Sequence, residues 1–78
     1  MTVQAYVLIQ TEVGRAEKVA SAARDIAGVV AADNVAGPYD VIVKAESASL
    51  DELGQLVVSA IQKVDGITRT FTCPIVNL

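Results

Sequence analysis

Two short stretches concentrate the side chains able to do chemistry. The first, AGPYDVIVKAE over Ala36–Glu46, carries Gly37, Tyr39 and Asp40 through a tight Gly-Pro corner into an apolar run; the second is the alternating set Thr68, Thr70 and Thr72. A carboxylate at the mouth of a buried run needs a partner, because an unpaired charge leaving water is costly or takes up a proton instead. Asp40 is therefore either a turn cap, accepting from backbone amides beside Pro38, or a hook for the cation of a ligand. A small zwitterion suits the two stretches together. Its ammonium group would donate to Asp40, and its carboxylate would accept from threonine hydroxyls or from free amides near Gly37, where the missing side chain lets backbone come close. Threonine is also a good strand former, so the alternating set reads equally well as an exposed polar face.

Other chemistries lack their parts. There is no histidine, and Cys73 is the single cysteine, so no internal disulfide forms and no imidazole activates a nucleophile. Beside Pro74 in an apolar run, Cys73 reads as a packing thiol. The carboxylates are dispersed over caps and helix faces; Asp51 and Glu52 fall in a helix's first turn, where the dipole favours them. No phosphate-cradling GxxxxGK run occurs. With a net charge of -3 and basic residues scattered at Arg15, Lys18, Arg24, Lys44, Lys63 and Arg69, direct binding to nucleic acid is not expected. The first ten residues lack a basic leader and are interrupted by Gln4 and Gln10, and nothing approaches the roughly 20 apolar residues of a membrane span. The expectation is a cytoplasmic protein without metal, cofactor or membrane partner.

What must position these residues is one small domain over 1–78. At 78 residues only about 60% of the unfolded chain's surface can be buried, so a lone copy is marginal and association is expected. Although 53% of residues are hydrophobic, the aromatics are only Tyr6, Tyr39 and Phe71, leaving a core of Val, Ile, Leu and Ala. Alternation over Thr2–Glu12 predicts a strand with Val3, Ala5, Val7 and Ile9 on one face. From Arg15 the spacing becomes helical, through Val19, Ala22, Ala23, Ile26 and Ala27, until Gly28. Strands are expected over Val29–Val35 and Tyr39–Glu46. Ser49 and Glu52 form an SxxE capping box, followed by a helical stripe from Leu50 to Val64, and Ile67–Val76 is the last strand. IAGVV and VDGIT repeat the same event: helix end, glycine, β-branched residue, strand. The chain is thus two strand-helix-strand halves, which intercalate into a ferredoxin-like βαββαβ sandwich: a four-stranded antiparallel sheet with two helices on one face.

The helices cover one face only. The other carries Tyr6, Leu8 and Ile42 among polar neighbours, a composition suited to a dimer face, though a merely amphipathic outer surface is the plainer reading. Strict alternation on the last strand would put Arg69 on the same side as Ile67, Phe71 and Cys73, which a bulge near Thr68–Thr70 would correct. Because the second and fourth strands fall at opposite edges, the corner and the threonines are expected to meet only through a neighbouring subunit or a sheet edge.

In this order and at this spacing, AGPYDVIVKAE, the helix start SLDEL and VDGITRTFTCPIV resemble the C-terminal effector domain, or RAM domain, of the Lrp/AsnC family of regulators, over about Val3–Leu78. The resemblance implies a homodimer formed through the sheet, often assembling further into a ring of dimers, with an amino acid or related effector bound between dimers. Carried over by position, it implies effector-binding roles for Gly37, Tyr39 and Asp40 in the corner and for Thr70 and Thr72 on the last strand. The family's regulators carry an N-terminal helix-turn-helix domain, whereas here Met1 is followed at once by the first strand. DNA binding is therefore not carried over, and the expectation is a stand-alone effector module that acts through assembly, full-length regulators of the family being one class of partner.

Two other classes compete. One is a small dimeric ferredoxin-like enzyme resembling cofactor-free monooxygenases or isomerases, disfavoured by the missing acid/base pair. The other is a scaffold that forms oligomers and binds nothing small.

Overall fold

Alternation on the first strand decides the layout. In the computed structural model, which describes residues 2–76, β1 (Val3–Thr11) buries Ala5, Val7 and Ile9 completely while Tyr6 stays 43% exposed on the opposite face. Met1, Asn77 and Leu78 of the expected 1–78 domain lie outside the described residues. After β1 come α1 (Ala16–Arg24), β2 (Val29–Asn34), β3 (Val41–Ser47), α2 (Leu50–Ser59), a single 3-10 turn (Ile61–Lys63) and β4 (Ile67–Pro74). The sheet order is β2-β3-β1-β4, with every neighbouring pair antiparallel. This is the expected ferredoxin-like βαββαβ arrangement, with β2 and β4 at the edges.

Both helices pack on one face. Val19, Ala20 and Ala23 of α1 and Leu53 and Val57 of α2 share one core with Ala5, Val7, Ile9, Val41, Val43 and Ala45. Among the described residues the core contains no aromatic ring and is built from Val, Ile, Leu and Ala. Among those residues, too, no helix is long and apolar enough to cross a membrane.

The elements begin and end for local reasons. Ser49 caps α2 by accepting from the Glu52 amide at 3.2 Å, one half of the expected box. At the end of α1 the Asp25 and Ile26 amides fall back on Ala22 and Ala23, a tightened last turn, and Gly28 at φ +97° swings the chain into β2. The second helix is shorter than its apolar stripe suggests. It stops at Ser59, Ala60 leaves helical geometry (φ -121°, ψ -56°), and the 3-10 turn follows. The change of winding brings Ile61 into the core, fully buried, with Val64 packed against it, so the stripe is honoured although the α-helix is not.

The last strand carries the bulge that its pattern requires. Gln10 pairs with Arg69 but Thr11 pairs with Ile67, which leaves Thr68 as the extra residue. The Thr68 hydroxyl donates to the Gln10 carbonyl at 3.1 Å and holds the irregularity in place. Ile67 therefore packs on the core, while Arg69, Phe71 and Cys73 share the outer face with Gln10, Leu8 and Tyr6.

Candidate functional site

The Gly-Pro corner is anchored at the far end of β1. The β3 ladder stops at the Ile9–Val41 pair, but β1 runs two residues further, so the Thr11 amide faces a place where no strand continues. Asp40 fills it. Its amide donates to the Ile9 carbonyl at 2.9 Å, and its Oδ2 accepts from the Thr11 amide at 2.9 Å, so a side chain stands in for the missing strand. The loop closes on itself through the Val35 amide and the Asp40 carbonyl at 3.0 Å. Gln10 adds a further tie, its Nε2 donating to the Pro38 carbonyl at 2.9 Å. Gly37, at φ +143°, has open space where a Cβ would stand.

Asp40 thus caps a backbone amide, though the amide belongs to β1 and not to the turn beside Pro38. Tyr39 and Asp40, expected within the third strand, precede it. Asp40 is half-buried, and among the described residues its Oδ1 has no hydrogen-bond partner. Tyr39 reaches over β1 and meets Phe71 edge-on, with centroids 5.8 Å apart and planes at 75°. The Arg69 guanidinium lies 5.2 Å from the same Phe71 ring centre.

The corner and the last strand touch within one chain through Tyr39 and Phe71, because the corner leads into β3, a central strand, and only β1 separates it from β4. The threonines themselves divide. Thr68 is the bulge residue, whereas Thr70 and Thr72 lie opposite Ile9 and Val7 and so belong to the helix side of the sheet, away from Phe71. The Thr70 hydroxyl accepts from Gln62 Nε2 at 3.0 Å. A shallow recess of about 340 Å³ opens there, lined by Gln62, Ile67, Thr68, Arg69 and Thr70. Among the described residues no hydrogen bond joins Asp40 to either Thr70 or Thr72.

Sequence reasoning missed Gln10, Thr11, Gln62 and Phe71 as parts of this region. Gln10 had a signal, a polar residue with strand-face alternation at the end of β1, but it read only as an interruption of an apolar run. Gln62 carried none, since its position depends on the switch to 3-10 winding. Among the described residues no group of three or more His, Cys, Asp or Glu could hold a metal ion.

A ferredoxin-like βαββαβ domain, with its polar side chains gathered where a corner and the last strand flank β1, is the class that fold and site define. Residues 4–77 match the family described as the Lrp/AsnC ligand binding domain, and the chain belongs to that family. Its fold is similar to that of TTHA0845 from Thermus thermophilus, at 26% identity and a TM-score of 0.90 over 97% of this chain and 95% of that one. It is also similar to the hypothetical protein PHS023 from Pyrococcus horikoshii, at 32% identity and a TM-score of 0.88 over 97% of this chain and 92% of that one. The transcriptional regulator NMB0573 from Neisseria meningitidis, solved as a complex with L-Met, shares the fold at 14% identity and a TM-score of 0.83, over 96% of this chain and 50% of that one. A search of curated proteins finds no match.

Proposed function

We propose that this chain is a regulatory module, not an enzyme, that binds an amino acid or similar small zwitterion at a site completed between subunits. The observation that carries the reading is the state of the Asp40 carboxylate: Oδ2 accepts from the Thr11 amide, and Oδ1, without a partner among the described residues, is left to receive an ammonium group. Gly37, Tyr39 and Asp40 form the cation half. Thr70 and Thr72 form the anion half, and because they lie on the helix side of their own sheet, a neighbouring subunit supplies them to the corner. The L-Met complex of NMB0573 supports an amino acid as ligand class in this family's fold.

The outer sheet face, with Tyr6 and Phe71 each about two-fifths exposed, forms the homodimer, and dimers assemble further to build the site. A cytoplasmic role in transcriptional or metabolic regulation follows, with the signal passed on through assembly, full-length family regulators included. Calorimetric titration of the assembled protein with the twenty amino acids tests the reading. Saturable binding of at least one, lost in Asp40→Asn, supports it. Failure of all twenty on a protein that light scattering shows to be a larger even-numbered oligomer overturns it in favour of a ligand-free scaffold.

A further inference from the structure

The two edges of the sheet are finished differently. On β2 the Val35 amide donates to the Asp40 carbonyl in the register of the β2–β3 ladder, so by two-residue alternation Ala32 and Asn34 turn their N–H and C=O groups outward. The Ala32 carbonyl accepts from Arg24 Nε, which reaches over from α1 at 3.0 Å, and the register of the strand shifts between Val29 and Ala31. A covered carbonyl and an irregular ladder both keep a further strand off an edge. On β4 the Ile75 amide donates to the Gln4 carbonyl at 2.8 Å, so Gln4–Ile75 is a hydrogen-bonded pair, and by the same alternation so are Tyr6–Cys73, Leu8–Phe71 and Gln10–Arg69. Thr70 and Thr72 therefore turn their backbone groups away from β1. Among the described residues no side chain or loop bonds those groups, since Gln62 reaches only the Thr70 hydroxyl. The recess beside Ile67, Thr68, Arg69 and Thr70 leaves room along the same stretch. Pro74, which has no amide, ends the row.

We infer that the free edge of β4 takes β4 of a second copy, antiparallel, about a two-fold axis normal to the sheet at Thr70, so that two four-stranded sheets join into one. Thr70 then faces Thr70 and the two exchange both of their backbone bonds, while Thr72 of each copy faces Thr68 of the other. The side chains select this register. It sets Arg69 of each copy opposite Phe71 of the other, and within one chain the Arg69 guanidinium already rests 5.2 Å from the Phe71 ring centre. A register must shift by two residues to keep outward groups facing one another. One such shift puts Arg69 directly opposite Arg69, where like charges repel; the other sets Pro74, with no N–H to donate, opposite Thr68. The exposed side chains of Thr68, Arg69, Phe71 and Thr72 need no rearrangement to accept the neighbour. Because the axis is normal to the sheet, the outer faces of both copies lie on the same side and stay free for the dimer proposed above. The inference does not depend on the effector reading: it assigns a further surface, held by main-chain bonds.

Disulfide trapping reads the edge and its register together. In a Cys73→Ser background, the thiols introduced by Thr70→Cys stand directly opposite in the two copies, with Cα atoms about 5.5 Å apart and within disulfide reach. Those introduced by Thr72→Cys are offset by four residues, about 13 Å along the strand, and out of reach. Mild oxidation is expected to give a covalent dimer on a non-reducing gel from Thr70→Cys and none from Thr72→Cys. Any other pattern overturns the pairing. A proline supplies the second readout, because Thr70→Pro removes an amide that bonds nothing within its own chain. Its circular dichroism should match the parent's, while sedimentation should show assembly moved to about tenfold higher concentration. A folded Thr70→Pro that assembles like the parent overturns the inference, and should that variant not fold, the trapping result decides. A titration in which no amino acid binds leaves this edge standing, and a failed trap leaves the effector reading standing.

Discussion

The Tyr39 ring stands edge-on to Phe71, centroids 5.8 Å apart, and so fastens the Gly-Pro corner to β4 across the intervening β1. Both rings belong to the second strand-helix-strand half, whose β3 and β4 are parted in the sheet by β1 of the first, so the contact ties the two ends of that half together across β1 on the face that the helices leave open. Edge-to-face pairs contribute about 0.5–1.5 kcal/mol beyond their buried area. A double-mutant cycle with Tyr39→Leu and Phe71→Leu, read by urea unfolding, should return a coupling energy of about 0.5–1.5 kcal/mol. Coupling near zero would mean that the rings lie side by side without holding the corner.

Asp40 does two jobs that substitution can separate. In Asp40→Asn the amide oxygen can still accept from Thr11, so stability should fall by less than about 1 kcal/mol, whereas losing the charge-assisted contact should weaken effector binding by about 1–3 kcal/mol. Asp40→Ala leaves the Thr11 amide unpaired in a half-buried position and should cost about 1–3 kcal/mol in stability. Chemical denaturation and titration of the same two variants distinguish the roles. If Asp40→Asn binds as tightly as the parent, Asp40 serves β1 alone.

Ser49 isolates the start of α2. Its hydroxyl is the acceptor for the Glu52 amide, and Ser49→Ala should lower stability by about 0.5–2 kcal/mol, measured as a shift in the urea midpoint at unchanged slope. Leu53→Ala in the same helix should cost about 2–5 kcal/mol, because Leu53 is among the largest fully buried side chains. A larger loss in Ser49→Ala than in Leu53→Ala would mean that the cap governs this helix more than its packing does.

The fold was legible where a period repeats and illegible where one residue resets it. Alternation on β1 and the glycines after each helix were enough to order the elements, and the misfit of Arg69 with Ile67 pointed to the bulge at Thr68. The early end of α2 was not legible, because a continuous apolar stripe is compatible with α winding and with the 3-10 turn that buries Ile61. At the site, residue type marked Asp40 as needing a partner. Which partner it found depended on β1 outrunning β3 by two residues, a difference in strand length that no local pattern encodes.

Gly28 shows how closely the two halves are fitted, and its replacement makes a severe test of the packing. The residue lies at φ +97°, its carbonyl accepts from the Glu46 amide at 2.8 Å, and a Cβ there would stand 2.9 Å from Leu56 Cδ2 and 3.2 Å from the Glu46 carbonyl oxygen. An L-residue in the left-handed region costs about 1–2 kcal/mol, and overpacking adds about 1–3 kcal/mol, so Gly28→Ala should lose about 2–5 kcal/mol. For a domain of this size that is a large share of the total, of order 5 kcal/mol. The two contributions can be told apart, since Leu56 is a side chain able to yield and the backbone angle is not. In a Leu56→Ala background the steric part should shrink, leaving a Gly28→Ala cost of about 1–2 kcal/mol from the backbone. Strictly additive losses in the two variants would show that α2 stands farther from the α1–β2 turn than these distances place it.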